Sequence, residues 1–321
     1  MEMTEVCVLG GSGFVGRHVC HALAAGGFRV RVATRDRERA KEQLILLPTV
    51  DVETVDVHDP AQLGAFVRGA DAVFNLVGVL HDGRGERSFQ AAHVELARRV
   101  VGACRSSGIR RLLHMSALGS ARDGPSRYLR SKGEAEAVVR ESGLGWTIYR
   151  PSVVFGPGDD FLNLFAMVLR FSPVLALACP NARFQPVYVE DVAAVLVKSL
   201  TDLGSIGRSY DLCGPRVYTL RELVEYVGAV TGRRRRVVGL NDALSYFQAL
   251  AMELLPVKLM TRDNYYSMKV DSVCSCGFPF GIAPAALEAV APSYLGQRTL
   301  RARYQRFRGQ AHRDDSVNSG R

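Results

Sequence analysis

The opening of this chain constrains its fold more tightly than any other part. VCVLG, residues 6–10, is an apolar run of strand length. It passes directly into Gly11-Ser12-Gly13-Phe14-Val15-Gly16 and then into the helical pattern FVGRHVCHALAAG. A strand that turns through glycines into a helix places free N–H groups and a positive dipole end at the turn, suited to phosphate. Gly10 permits the tight turn, Gly13 lets the backbone approach a pyrophosphate, and Gly16 lets the helix pack on the strand. Gly10, Gly13, Phe14, Val15 and Gly16 are therefore candidate dinucleotide contacts.

The same rhythm continues along the chain. Residues 28–34, 50–56, 72–78, 111–116 and 146–150 are short, apolar or β-branched, and alternate with longer helical patterns such as VELARRVVGACRSSG. Strand–helix alternation of this kind predicts an α/β, Rossmann-type doubly wound parallel sheet with right-handed crossovers. After Arg150 the rhythm changes, through PSVVFGPGDD and an apolar helix from Phe161. Residues 187–197 and 209–214 read as return segments, and Thr219 with Glu222 has capping-box spacing. The expected organisation is a nucleotide-binding unit over 1–213, with 151–183 contributing to a substrate lobe. A smaller, mostly helical C-terminal lobe follows over 214–309, then a polar, disordered tail over 310–321.

At 321 residues, 47% hydrophobic and 23% charged, the chain can bury a large core. Its net charge of +9 comes from arginine far more than lysine. No zinc-finger spacing or RNP-type motif accompanies that charge, so nucleic acid is not an expected partner. No residue set reads as a metal site. The seven cysteines are an odd number without a CxxC pair, and several lie in apolar runs. They read as small core residues in a reducing compartment. MEMTE is acidic and carries no hydrophobic signal region, and Arg170 and Pro173 interrupt the apolar stretch 161–178. The expectation is a soluble, cytoplasmic protein, peripheral at most on the inner face of the cell membrane. The basic segment 298–321 has Leu300, Tyr304 and Phe307 at helical spacing among arginines. It would suit an anionic membrane surface or an acidic partner.

Cofactor choice is read at the end of the second strand. An acidic residue there would bind the ribose hydroxyls of NAD, but the chain has Thr34-Arg35, with Asp36 one place later. Arg35 could pair with the 2′-phosphate of NADP, assisted by Arg17, so NADP(H) is preferred over NAD(H). Asp56 and Val57 are placed to flank the adenine, and Asn75, Val77 and Gly78 to line the cofactor. Tyr128 and Lys132 stand four apart on a helix that follows the strand-ending Ser116. A lysine beside a tyrosine lowers the phenol pKa and makes it an acid/base, and the serine can hold the reacting oxygen. Tyr265 and Lys269 repeat the spacing without that context, and Tyr265 reads as a packing residue.

The glycine loop, Asp56, residues 75–78, Ser116, Tyr128/Lys132 and RPSVVFGPG together resemble the extended, atypical branch of the short-chain dehydrogenase/reductase superfamily. HMSALGS, SRYLRSKGEAE, GPGDDFLNLFA, ARFQPVYVEDVA, GPRVYTLRELV and RDNYYSM resemble one subgroup more narrowly. Its members are bacterial relatives of the NADPH-binding accessory subunit of respiratory complex I, alpha subcomplex subunit nine. The resemblance spans residues 4–295. It implies a Rossmann core, bound NADP(H) with Pro151 among its contacts, and a respiratory-chain or quinone-related setting, the respiratory complex being one partner. In that accessory subunit the nucleotide is a structural ligand. The other reading is an active NADP(H)-dependent oxidoreductase or epimerase acting on a hydrophobic molecule such as a quinone. Ser116, Tyr128 and Lys132 would be its catalytic residues, and the apolar wall over 161–177 would face the substrate. His93 departs from the wider branch, where asparagine is usual, and reads as a satisfied, partly buried histidine.

Overall fold

In the computed structural model, which describes residues 4–44, 47–254 and 259–296, each expected early run is a strand. These are β1 (Glu5–Leu9), β2 (Arg29–Thr34), β3 (Val50–Thr54), β4 (Ala72–Asn75), β5 (Arg111–Met115) and β6 (Gly145–Pro151). Short strands β7 (Val154–Phe155), β8 (Val174–Leu177), β9 (Arg183–Phe184) and β10 (Val187–Tyr188) follow, then β11 (Arg208–Leu212), β12 (Tyr218–Thr219) and β13 (Arg236–Gly239). The central sheet has seven strands in the order β11-β6-β5-β4-β1-β2-β3, all parallel. The order reverses beside β1, which opens a crevice at the carboxyl ends of β1 and β4.

Alternation along β1 shows why both faces are covered. Cys7 and Leu9 enter one apolar cluster, and Val6 and Val8 enter the other. The second face is closed by α1 (Phe14–Ala25), with α2 (Arg37–Leu44) at its edge. On the first face lie α3 (Pro60–Val67), α4 (Leu96–Ser106) and α5 (Arg127–Arg140). A third cluster joins α6 (Phe161–Phe171) to a later helix. The helices after α6 are α7 (Val189–Thr201), which covers the second face, α8 (Leu220–Val230), α9 (Asp242–Glu253), α10 (Arg262–Ser267) and the short α11 (Leu287–Val290) and α12 (Pro292–Leu295). Leu162 and Leu169 of α6 meet Leu223, Val224 and Val227 of α8 there. The Thr219–Glu222 capping box at α8 is present in both directions.

The stretch 161–178 is an eleven-residue helix followed by a turn and β8. Among the described residues no helix is long and apolar enough to cross a membrane. The cysteine expectation needs correction. Cys213, just after β11, is disulfide-bonded to Cys274, their Cα atoms 6.0 Å apart across 61 residues of sequence. Cys7, Cys20 and Cys104 are buried free thiols, as core cysteines should be. The segment that carries Cys274 runs beside β9, where the Gln185 N–H donates to the Ser272 carbonyl and the Ser272 N–H to the Arg183 carbonyl. Spacing alone carries no trace of the pairing. The basic segment 298–321 lies outside the described residues.

Candidate active site

Two glycines make the nucleotide loop possible. Gly10 has φ +80°, and a Cβ there would lie 3.0 Å from the Val77 nitrogen at the end of β4. A Cβ on Gly16 would lie 2.0 Å from the Gly10 carbonyl, so the helix can sit on the turn only without a side chain. Gly13 is exposed at the start of α1, which has no side-chain cap and no acidic residue in its first turn. The N–H groups of Phe14, Val15 and Gly16 precede the first intrahelical donor, Arg17, which bonds to Gly13. An open, uncapped helix end beside a crevice fits a pyrophosphate.

At the far end of the groove Thr34 is buried, and its hydroxyl bonds the Asp36 backbone. The Asp36 carboxylate accepts from the Arg39 N–H at the start of α2 and is thereby engaged. Arg35 is exposed and lies 3.5 Å from Glu86, which follows β4. Sequence reading missed Glu86, whose approach to Arg35 spans 51 residues. Arg17 does not join Arg35. Its guanidinium donates to the Pro157 carbonyl at 2.5 Å and lies 5.5 Å from the Phe14 ring centroid. Asp56 is held by its own turn, Oδ1 accepting from the His58 N–H, and Val57 packs on the first apolar cluster. Asn75 is buried and bonds both the Val77 N–H and His114 Nδ1. Pro151 ends β6, and its carbonyl accepts from the Leu118 N–H.

The reacting end is gathered by α5. Lys132 is buried, and its Nζ donates to the Met115 carbonyl at 3.2 Å, one residue before Ser116. The same Nζ would lie 3.1 Å from a Cβ on Gly78, so the amine sits against the bare end of the β4 loop. Tyr128, one turn earlier, is half-buried against Phe89 and His93, with ring centroids 5.7 and 5.6 Å away. Ser116 is buried and donates to Ser120 Oγ at 3.2 Å. Loop, lysine and serine therefore converge, whereas Arg35, Asp56 and Val57 lie along the other half of the groove.

Electrostatics correct one expectation. Burial pushes the Tyr128 phenol up to about 12, and Lys132 does not lower it. Burial also brings Lys132 down to about 8, an effect opposed by Glu136. Glu136 was missed although it stands one more turn along the same stripe, at i+8 from Tyr128. It is fully buried, and its carboxylate receives Arg150 through Nε at 2.8 Å and Nη2 at 2.5 Å, and Arg140 at 2.6 Å. Burial alone would raise its pKa, but Arg150, Ser116 and Arg140 outweigh that and hold it below the usual carboxylate range. This buried anion lies behind the serine and lysine.

His93 is on a π-helical turn, Gln90–Glu95, of the kind often found at functional sites. Its Nε2 accepts from the Val79 N–H at 3.1 Å, so Nδ1 carries the proton and donates to Ser131 Oγ at 2.8 Å. Ser131 in turn donates to the Tyr128 carbonyl. Burial, then the charge of Lys132, lowers His93 to about 2, so it stays neutral. The second tyrosine–lysine pair is different. Tyr265 is buried against Tyr246 and Tyr266, while Lys269 lies beyond α10, over the Tyr265 ring and paired with Asp242.

A glycine-turn Rossmann sheet with serine, tyrosine and lysine at its carboxyl edge defines a nucleotide-dependent dehydrogenase-type scaffold. Residues 10–160 match the family model for NAD(P)H-binding. The chain is 36% identical over 226 residues to the NADH dehydrogenase [ubiquinone] 1 alpha subcomplex subunit 9 of Arabidopsis thaliana, covering 68% of this chain and 56% of that protein. It thus spans little more than half the plant subunit's length. It is 32% identical to a ceramide reductase of Caulobacter vibrioides, over 74% of each chain. An NADPH-dependent quinone oxidoreductase of Escherichia coli, solved with NADPH, has the same fold with TM-score 0.71. That match is 19% identical and covers 89% of this chain and 98% of that one. The chain belongs to the extended, atypical short-chain dehydrogenase/reductase superfamily, in the group related to the alpha subcomplex subunit 9 of NADH dehydrogenase.

Proposed function

We propose that this protein binds NADP(H) and reduces a hydrophobic carbonyl or quinone compound, with Ser116, Tyr128 and Lys132 as the reacting set. The observation that carries this reading is the buried Lys132 amine, seated between Gly78 and the Met115 carbonyl on the helix face that carries Tyr128. The residues fit a dinucleotide: the open end of α1 would take the pyrophosphate, and Asn75, Val77, Gly78 and Lys132 would border the nicotinamide half. When bound, the reduced cofactor supplies a hydride. Tyr128 keeps its proton until about pH 12, so at neutral pH it is a proton donor to the substrate oxygen, which favours the reductive direction. Ser116 would hold that oxygen, Lys132 would border the cofactor from the Gly78 side, and solvent would reprotonate the phenolate left on Tyr128. Preference for NADP(H) rests on Arg35 at the end of β2 and on the engagement of Asp36 as a helix cap.

The second reading is a nucleotide-holding subunit in a respiratory setting, in which NADPH stabilises the fold by mass action. Its support is the raised Tyr128 pKa, which withholds a base for the oxidative direction, together with the subunit 9 relatives. Incubating the purified protein with NADPH and soluble quinone and ketone analogues separates the two. Turnover abolished by Tyr128→Phe supports the reductase. Absent turnover with a large NADPH-dependent rise in melting temperature supports the holding role. Arg35→Ala is expected to lower affinity for NADPH about tenfold relative to NADH, roughly one charge-assisted contact. Equal affinities in both forms would remove the stated preference.

A further inference from the structure

We infer that the lobe built from α6, β8, β13 and α9 docks on an anionic phospholipid bilayer. The inference goes beyond the dinucleotide chemistry and does not depend on it. α9 turns Ser245 and Ala249 inward, while Leu244, Phe247, Ala251 and Leu254 follow at helical spacing on its outer face. Phe247 is 62% and Leu254 81% exposed. The helix lies beside the β8–β13 ribbon, where the Gln248 side chain donates to the Ala176 carbonyl at 2.9 Å. In that ribbon Arg236 pairs with Val174 and Val238 with Ala176, so these four share one face, and all are exposed. Phe171, at the end of α6 and three residues before Val174, is 76% exposed. Large exposed apolar side chains thus occur on each of these neighbouring elements.

Charge identifies the occupant. The sequence GRRRRVV runs into β13, and Arg170 lies in the last turn of α6. Arg170, Arg234 and Arg236 have no acidic partner among the described residues, and Arg235 donates to the Leu169 carbonyl. Acids of the same region are already neutralised: Glu225 by Arg221, Asp242 by Lys269, Glu253 by Arg262. A cavity of about 300 Å³, lined by Leu169, Val224, Glu225, Arg234 and Arg235, adjoins the ribbon, and its one acid, Glu225, is paired with Arg221. Protruding aromatic and aliphatic groups beside unpaired arginines suit a deformable surface of apolar chains under anionic headgroups. On its other side α9 contributes Tyr246 to a cavity of about 350 Å³ that reaches Arg127 at the start of α5.

Co-sedimentation of the full chain with equimolar phosphatidylcholine–phosphatidylglycerol vesicles tests this, with phosphatidylcholine vesicles in parallel. Association with the anionic vesicles, and at least tenfold less with the neutral ones, is expected. Arg234→Gln with Arg236→Gln should weaken it roughly 25-fold, about fivefold per arginine near the surface. Phe247→Ser with Leu254→Ser should abolish it with an unchanged melting temperature, because both side chains are exposed. Replacing Arg301, Arg303 and Arg306 by Gln should change association less than twofold. Unimpaired binding by either lobe variant overturns the proposal, as does loss of binding from the tail substitutions alone. A dimer that the Phe247/Leu254 variant splits, without vesicle association by the parent, would show the face belongs to a second copy and overturn it as well.

Discussion

The N-termini of α1 and α5 begin at the same edge of the sheet and are finished in opposite ways. α1 starts at Gly13 with no side chain to cap it. α5 is capped twice. Ser126 Oγ accepts from the Leu129 N–H at 3.1 Å, and Asp263 reaches from α10 to accept from Arg127 at 2.7 Å and Tyr128 at 3.1 Å. Ser267 adds a hydrogen bond to Ser126. One helix leaves its donors for something outside the chain; the other uses 135 residues of intervening sequence to satisfy them. A binding end must stay open, whereas a helix carrying a reacting tyrosine gains from having its first turn held in place.

Breaking the open end should have the largest effect. Gly16→Val forces a side chain onto the Gly10 carbonyl, costing about 1–3 kcal/mol of stability. Dinucleotide binding measured by calorimetry is expected to vanish. Removing the cap at the other end should act differently. Asp263→Ala is expected to cost about 1 kcal/mol and to lower turnover of a soluble quinone, with NADPH affinity unchanged. If Asp263→Ala instead abolished binding, the division of labour between the two helix ends would be wrong. The smallest effect concerns the α5 interior. Burial holds Lys132 near 8 against an ordinary 10.5. Between those values the unfolded chain keeps a proton that the folded chain has released, so stability should rise with pH from about 8. Above pH 10 the raised Tyr128 opposes it, since the folded chain then holds a proton the unfolded chain loses. Lys132→Met should flatten the rise between pH 8 and 10, read from urea midpoints.

The central sheet was legible because each strand is a compact apolar run set off by glycine or polar turns, and a parallel sheet needs that pattern. The lysine and tyrosine were legible through their four-residue spacing, and Glu136 could have been found by carrying the stripe one turn further. Glu86 and Asp263 could not. They meet Arg35 and the start of α5 across 51 and 135 residues, and nothing local, not even the RDNYYSM motif that holds Asp263, points to those partners. The Cys213–Cys274 bond is hidden for the same reason. The direction of the tyrosine's shift was not legible because spacing reports the neighbouring lysine but not burial, which raises the phenol.

The neutral imidazole of His93 ties three segments together: the amide of Val79, the hydroxyl of Ser131 and, through it, the carbonyl of Tyr128. The side chains at 93 and 131 thus depend on one another energetically. A shorter polar side chain at 93 would leave either Val79 or Ser131 without its partner, and an apolar one at 131 would strand a buried N–H. Substitutions at the two positions should therefore be non-additive in a double-mutant cycle read from urea midpoints.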